Sequence, residues 1–395
     1  MNPKTVVRLG YGIFYGGEEN QGGNPNRGEA APFNITVNLD RRPGVGTFDR
    51  NDFFNGASNG FPSNVFSLPA PIDFRSVARN FRNPLVHKWN LAIQREIGAN
   101  AIEVAYVGNH QAHQLHFSDP NACFNDVRPA IPCNERRKIP SIGGVNYTAT
   151  FGFGNYAGLT AKFERRFTNG LQYLTSYTWG HALATSGTTL SGSANLTTKD
   201  PYNWSSAYSS AAWDIRHSFV ASFLYDLPIG RGKAMSFNGN AANVLLGGWQ
   251  VNGIVTLRTG NPFTIIPLSC IGSFNRCTPD LVSGQNPQAA PSGGRTPAQW
   301  FDKAAVVTPA PGTNGTLGLQ SNRAPGQKYM DMSLFKSFHL TERYNVQFRA
   351  EAFNLGNTPQ FDRPNATQGD PNFARVTATQ QGTERKMQFA LRFMF

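Results

Sequence analysis

Apolar side chains recur at every second position in about ten separate segments, and this alternation is the strongest constraint on the fold. In the first segment Val7, Leu9 and Tyr11 alternate with Arg8 and Gly10. Successive side chains of a β-strand point to opposite faces, so the pattern predicts strands with one apolar and one polar face. The predicted strands cover residues 7–15, 88–96, 102–106, 159–167, 171–179, 219–227, 249–258, 330–338, 346–352 and 387–395.

The connections between these segments alternate in length. Asn169-Gly170 is a strong hairpin signal and marks one of the short turns. Short turns are predicted at 98–100, 168–170 and 340–343, a medium connection at 228–248, and long loops at 16–85, 108–155, 181–215, 261–326 and 355–382. A further alternating stretch at 33–39 predicts a local strand inside the first long loop. Short turns at one end and long loops at the other are typical of an outer-membrane barrel.

Composition agrees with a membrane-spanning sheet and excludes helical alternatives. The charged fraction of 15 % is too low for a coiled coil or a helical bundle. Apolar runs stay short of the roughly 18 residues that cross a bilayer as a helix. Aromatic residues make up 12 % of the chain although its mean hydropathy is −0.38. A barrel allows this combination because only alternate residues meet lipid. The predicted fold class is therefore all-β, an antiparallel transmembrane β-barrel with about ten long strands.

The chain is strongly basic, with a formal net charge of +12. Such a charge is common in proteins that bind nucleic acid or an anionic membrane surface. Lys and Arg are scattered here, and the densest cluster, at 136–138, lies in a loop flanked by Cys and Pro. The distribution excludes nucleic acid as the expected partner. It favours basic residues that line a polar lumen or face lipid headgroups.

The four cysteines form two local pairs in segments without a strand pattern. Cys123 lies near Cys133, and Cys270 lies near Cys277. Neither pair has the spacing of a metal or redox motif. Two disulfides that staple loops in an oxidising compartment are predicted, and four free thiols are the alternative.

Several stretches resemble the C-terminal barrel of TonB-dependent receptors, specifically the Oar-like group with carboxypeptidase-regulatory-like N-terminal domains. The stretches are KTVVRLGYGIFY (4–15), NPLVHKWNLAIQREIG (83–98), IEVAYVG (102–108), FERRF (163–167), SYTW (176–179), DLPIGRG (226–232), LGGWQ (246–250) and FRAEAFNL (348–355). They follow one another in this order along nearly the whole chain. The similarity is carried by the set, because each stretch alone is short.

The resemblance implies an outer-membrane transporter that takes up bulky nutrients. Energy would come from the inner-membrane TonB complex through an N-terminal TonB box and a plug domain. The sequence from residue 1 to 395 begins close to an expected periplasmic turn, without a signal peptide, TonB box or plug. It contains about ten strands where the resembled barrel has about twenty-two. We therefore expect residues 1–395 to be the C-terminal part of the barrel of a longer transporter.

The resemblance also implies partners. The terminal residues Phe389, Leu391, Phe393 and Phe395 would be recognised by the barrel-assembly machinery. Outer-membrane lipid and an unidentified nutrient are expected as further partners, and the TonB complex only through the missing N-terminal part. No cofactor is expected. A secreted or surface all-β binding protein, such as an adhesin or a carbohydrate-binding module, is the alternative.

Two other motifs contain residue types that are found in chemical sites. The string around Ser58 matches G-x-S-x-G, but it lies in a loop without the strand and helix that a nucleophile elbow needs. His110, His113 and His116 are three residues apart, a spacing that on a strand points neighbours to opposite faces. In a loop these histidines would be able to chelate a metal. No catalytic centre and no metal site are predicted.

Overall fold

The computed structural model describes residues 4–16, 72–122, 131, 133–185, 199–237, 239–268, 277–339, 341 and 343–395. Ten long strands, one for each predicted segment, form a single antiparallel sheet. They are β1 (Thr5–Tyr15), β2 (Leu85–Ile97), β3 (Asn100–Ser118), β4 (Ile142–Thr168), β5 (Leu171–Ala184), β6 (His217–Asp226), β7 (Trp249–Arg258), β8 (Gln327–His339), β9 (Asn345–Phe353) and β10 (Lys386–Met394). The predicted fold class is confirmed.

The long strands are ordered in the sheet as they are in the chain, with β1 and β10 at its two edges. Tight turns join β2 to β3 and β4 to β5. Gly98 has φ 61°, and Asn169 and Gly170 have φ 53° and 76°. These left-handed conformations are the ones that a two-residue hairpin requires. We call this edge of the sheet the short-turn end, and the opposite edge the long-loop end.

The register places all the alternating apolar residues on one face of the sheet. Leu9 lies opposite Leu91, which lies opposite Tyr106, and the row continues through Leu159 to Trp179. Many of these side chains are exposed, including Leu9 at 82 %. The other face is polar, as the row Gln94, Glu103, Lys162 and Ser176 illustrates. We call these two surfaces the apolar face and the polar face.

Two strands are longer than the alternation predicts. β3 extends to Ser118, and β4 begins at Ile142, so much of the predicted loop 108–155 is strand. The extension has polar residues on both faces and a bulge near His113, whose φ is 57°. A strand beyond the membrane needs no apolar face, and the alternation is lost there. A short strand, Ile72–Val77, pairs parallel to this part of β4.

The long-loop end carries the remaining elements. The short strands are Ser209–Ser210, Pro262–Phe263, Ile266–Pro267, Asp280–Leu281, Val306–Val307, Asn322–Arg323 and Thr367–Gln368, and the 3₁₀ helices are Cys133–Arg136, Trp204–Ala207 and Lys303–Ala305. One α-helix, α1 (Asn240–Leu246), lies instead at the short-turn end, in the β6–β7 connection. Within the described residues, no helix is long and apolar enough to cross a membrane. The strand predicted at 33–39 lies outside the described residues.

The main buried apolar cluster lies in the loops and not on the sheet. Phe301 packs between Phe263 and Phe373, with ring centroids 5.9 and 5.3 Å away. The whole cluster comprises Phe263, Ile265, Phe301, Val306, Leu317, Phe373 and Ala374. It joins the β7–β8 loop to the β9–β10 loop. We call this packed unit the loop assembly.

Candidate ligand-binding mouth

A buried carboxylate ties the loop assembly to the strand ends. Asp214 lies in the β5–β6 loop and is 2 % exposed. Its Oδ1 accepts a hydrogen bond of 2.7 Å from the Ala182 N–H of β5. Its Oδ2 pairs with the guanidinium of Arg323, and it lies 3.5 Å from the Nε of Arg216 and 3.3 Å from the Nδ1 of His181. Two loops and one strand therefore meet at a single carboxylate.

The surroundings of Asp214 keep it charged. Burial alone would raise the pKa of this carboxyl. The hydrogen bond from the Ala182 N–H and the ion pair with Arg323 outweigh burial and lower the pKa below its ordinary value of 3.8. Arg323 also donates to the main-chain oxygens of Asp214 and Gly260, each at 3.2 Å. The Arg323 guanidinium therefore pairs with the Asp214 carboxylate and also holds the backbone of the β5–β6 and β7–β8 loops.

Lys199 makes a second connection into the loop assembly. Its Nζ donates to the Thr278 hydroxyl at 3.0 Å and to the main-chain oxygens of Gly315 and Leu317, each at 2.9 Å. Burial lowers the pKa of this lysine, and Asp280 partly opposes that shift. All three hydrogen atoms of the ammonium have an acceptor. The β5–β6 loop is thus fastened to the β7–β8 loop at two separate places.

A cavity of about 850 Å³ opens where the polar face of the sheet meets the loop assembly. Its lining combines the strand-end residues Arg258 and Gln327 with loop residues, among them Gln320 and Arg363. We call it the mouth cavity. Its position means that a molecule bound to the loops would also touch the polar face of the sheet.

The lining of the mouth cavity is polar, and its charged residues are Arg258, Arg363 and Asp362, so basic groups are in excess. The Nε of Arg258 donates to Gln327, whose amide nitrogen donates to Gln380 at 2.6 Å. The Oε1 of Gln320 is buried, and it has no hydrogen-bond partner among the described residues. Gln320 is also held at φ 51°, which is uncommon for a residue other than glycine. A buried acceptor and two nearby guanidinium groups suit a polar ligand with both hydroxyl or amide donors and an anionic group.

A second, smaller pocket lies on the sheet itself, with a volume of about 480 Å³. Polar-face residues of five strands line it, including Gln172, Ser222, Asn252, Asp331 and Glu351. It differs from the mouth cavity in charge, because it carries carboxylates and no basic side chain. The polar face therefore changes in charge along the strands.

The structure describes only some of the residues predicted to form disulfides, and it describes the whole terminal row of apolar residues. Cys277 is buried and disulfide-bonded. Cys123 and Cys270 lie outside the described residues, as does the side chain of Cys133, so the proposed pairings remain predictions. Phe389, Leu391, Phe393 and Phe395 are all on the apolar side of the edge strand and more than half exposed.

The three histidines do not come together as a metal site in the described part of the chain. His110 contacts Asn155 at 2.8 Å, and the ring of His116 lies 6.1 Å from that of Trp204. The part of the chain that the structure describes contains no group of three metal-ligating side chains close enough to hold an ion. Ser58 lies outside the described residues. The mouth cavity was missed by sequence reasoning, because its lining comes from segments without any periodic signal.

The family model for the outer membrane beta barrel domain matches residues 1–388. The chain belongs to this family. Its location is the outer membrane, and it is a membrane barrel domain. The apolar face therefore meets lipid and the polar face meets the lumen. By the rule for such barrels, the short-turn end is periplasmic and the long-loop end is extracellular.

Solved outer-membrane proteins resemble the chain at low identity. The transporter YddB from Escherichia coli is 9 % identical, with a TM-score of 0.47, over 100 % of this chain and 39 % of that protein. The ferric-catecholate import receptor Fiu from E. coli is 10 % identical, with a TM-score of 0.43, over 99 % and 33 %. BauA, the ferric preacinetobactin receptor from Acinetobacter baumannii, is 11 % identical, with a TM-score of 0.42, over 80 % and 30 %.

The chain thus spans 30 to 39 % of the length of these three proteins. At these TM-scores the similarity adds nothing to the family assignment. No curated protein matches the chain.

Proposed function

We propose that this chain forms the C-terminal barrel wall and the extracellular ligand loops of a TonB-dependent transporter of the Oar-like group. The mouth cavity is the observation that carries the proposal. It lies at the extracellular end of the lumen face, and both the loops and the strand ends line it. A wall that served only to seal a membrane would need no packed loop assembly with a polar cavity beneath it.

The chemistry of the cavity indicates the class of ligand. Arg258 and Arg363 would bind a carboxylate or a phosphate, and the Gln320 oxygen would accept from a hydroxyl or an amide. Peptides and acidic saccharides combine both groups. We propose such a polar, anionic nutrient as the transported ligand.

The partners follow from the same proposal. Residues 1–395 would constitute the C-terminal part of the barrel, and the plug and TonB box would come from a preceding part of the protein. The TonB complex would act only through that part. The exposed apolar edge at Phe389 to Phe395 would be the signal that the barrel-assembly machinery reads.

Growth of a strain without the gene tests the transporter proposal. Casein peptides and an acidic polysaccharide would serve in turn as the sole carbon source. We expect the deletion to abolish growth on one of them, and loss of the TonB complex to have the same effect. Reintroduction of the gene with Arg258→Ala and Arg363→Ala should fail to restore growth. A deletion strain that grows normally on both nutrients would contradict the proposal.

Arg343→Ala supplies the matched control, because Arg343 lies in the β8–β9 turn at the short-turn end, whereas Gln327 at the opposite end of β8 lines the mouth cavity. This variant should restore growth as the unaltered gene does. If it failed in the same way as the double variant, the effect would come from lost basic charge in general and not from the cavity.

Detergent dependence distinguishes the transporter from the alternative of a secreted binding protein. An adhesin or a carbohydrate-binding module would stay in solution without detergent, whereas a membrane barrel would not.

A further inference from the structure

The connection between β6 and β7 differs from the other connections at the periplasmic end. Its neighbours are tight polar turns, but residues 227–248 fold into a compact unit that contains α1. The Gly230 N–H donates to the Met235 oxygen at 2.7 Å, and the Gly247 N–H donates to the Asn243 oxygen at 2.9 Å. Gly230 has φ 120° and lies against Gly247 so closely that a Cβ on either residue would collide with the other. The unit is therefore folded and not an open loop.

Two residues of the apolar face fix α1 in place. The Nζ of Lys336, in β8, donates to the main-chain oxygens of Val244, at 2.6 Å, and Gly247. The indole Nε1 of Trp249, in β7, donates to the Leu245 oxygen at 3.1 Å. Lys336 and Trp249 lie opposite each other in the register, on the same side of the sheet as Leu334. The helix is consequently held on the lipid side of the wall and not over the lumen.

Lys336 would be costly to place on this face without the helix. A lysine on the lipid face of a barrel destabilises it, most strongly at mid-depth and less near the interface. Here the side chain is 2 % exposed, because the C-terminal turn of α1 covers it. Its ammonium also lies 5.6 Å from the ring of Trp249 and 5.0 Å from that of Phe338. Lys336 therefore binds the C-terminal turn of α1, and that turn shields the ammonium group from lipid.

The outer surface of this connection is apolar and basic. Val244, Leu245 and Leu246 are 58, 64 and 48 % exposed, and Met235 and Phe237 are also exposed. The segment 227–248 contains the basic residues Arg231 and Lys233 and no acidic residue. Apolar residues next to basic ones are typical of segments that lie in the interface of a membrane with anionic lipids.

We propose that residues 228–248 form an interfacial anchor that binds the phospholipids of the periplasmic leaflet. The surface is continuous with the lipid-facing side of β7 and β8, because Trp249 and Lys336 join the two. Leu245 and its neighbours insert among the upper acyl carbons, and Arg231 and Lys233 bind anionic headgroups. The anchor fixes the depth of the wall at the strands that lead into the loop assembly. It depends on the location of the protein and not on the proposed ligand.

Tryptophan fluorescence in phospholipid vesicles tests the anchor on the full chain. Leu245→Trp adds an indole to the connection, and Leu268→Trp adds one to the extracellular loops at a similar exposure of 68 %. Subtraction of the unaltered protein isolates the added emission. With phosphatidylcholine brominated at carbons near the headgroup, the indole at position 245 should lose about half of its emission, as expected for a side chain at the acyl boundary. The indole at position 268 should lose none.

Emission from position 245 that is unquenched by the brominated lipid, and as quenchable by aqueous iodide as that from position 268, would overturn the proposal. Quenching that disappears when the protein is concentrated in the vesicle would also overturn it, because a second copy of the chain would then be the occupant. The heat-dependent gel mobility of each variant confirms that the barrel has folded before its emission is compared.

The Leu245→Trp variant also tests the role of Arg231 and Lys233 separately. Vesicles with equal fractions of phosphatidylglycerol and phosphatidylcholine carry bromine on only one of the two lipids. Brominated phosphatidylglycerol should quench the indole at position 245 more strongly than brominated phosphatidylcholine. Arg231→Gln with Lys233→Gln should make the two equal, and a preference that survives both changes would contradict the role of these residues.

Discussion

Asp214 and Arg323 form an ion pair between two loops although they are 109 residues apart in the chain. Asp214 also accepts from the Ala182 N–H of β5, and Arg323 borders the mouth cavity through its neighbour Ala324. The pair therefore connects the end of the barrel wall to the loops that would contact a ligand. Its carboxylate is almost fully buried, so loss of the pair has consequences for the whole loop assembly.

Asp214→Asn should loosen the loop assembly without unfolding the sheet. The amide keeps an acceptor for Ala182 but leaves the half-buried charge of Arg323 without its carboxylate partner, which is destabilising. Hydrogen exchange measured by mass spectrometry should show faster exchange at residues 260–266 and 320–325, with the exchange of β1 to β5 unchanged.

Glu96→Gln is the matched control for that substitution. It also converts a carboxylate to an amide, but its partner Arg166 lies 2.7 Å away in a pair whose side chains are 43 and 71 % exposed. Exposed pairs contribute less than about 1 kcal/mol. If Glu96→Gln loosened the loops as much as Asp214→Asn, the central role given to Asp214 would be wrong.

The stability of the loop assembly should fall in acid because of the same carboxyl. Its pKa in the folded protein lies below the ordinary value of 3.8, since the Ala182 N–H and Arg323 outweigh the effect of burial. The stabilisation is therefore fully present above that value and is lost as the pH falls through the folded pKa. A plot of loop exchange against pH should show this step in the unaltered protein and lack it in Asp214→Asn. Identical profiles would contradict the prediction.

Lys199→Met should release the β5–β6 loop from the loop assembly. The substitution removes three donors, and the oxygen of Gly315 has to find water, at a cost of about 1–3 kcal/mol. Limited digestion with chymotrypsin should cut the β5–β6 loop faster than in the unaltered protein. Lys303→Met removes an exposed lysine from the loop assembly and should leave the cleavage rate as it was. Equal rates in both variants would show that Lys199 does not fasten the loop.

The sequence predicts the sheet well because lipid imposes a rule on every spanning strand. In β1 and β9 the alternation fixes which residues face the bilayer, and the observed register agrees with it. The rule ends where the strands leave the membrane. His113 lies on the extension of β3, where neither face meets lipid, and the alternation there is absent.

The candidate site is not predictable in the same way. Phe263, Phe301 and Phe373 come together from separate loops, and such contacts leave no period in the sequence. The helix α1 is a further example. Its apolar residues stand out in the sequence, but its place depends on Lys336, which is 89 residues away from Gly247.

Phe395→Ala should lower the amount of assembled barrel in the outer membrane. Phe395 ends the apolar row of the edge strand and is 85 % exposed. If the assembly machinery reads this row, removal of its last ring slows insertion, while a barrel that has already assembled keeps its stability. Heat-dependent gel mobility of outer-membrane fractions measures the folded amount. Met394→Ala, at the adjacent position on the polar face, is the control and should assemble normally. Equal yields for both variants would contradict the proposed signal.

Leu159→Arg should destabilise the sheet more than Thr160→Arg does. The two residues are adjacent in β4, but Leu159 lies in the apolar row between Tyr106 and Trp179, and Thr160 lies on the lumen face opposite Thr178. An arginine that faces lipid loses its hydration and destabilises a barrel, whereas one in the polar lumen keeps its hydration. Urea titration of both variants in phospholipid vesicles, followed by intrinsic fluorescence, measures the free energy of unfolding. A larger loss for Thr160→Arg than for Leu159→Arg would reverse the assignment of the two faces, and with it the position of the mouth cavity on the lumen side.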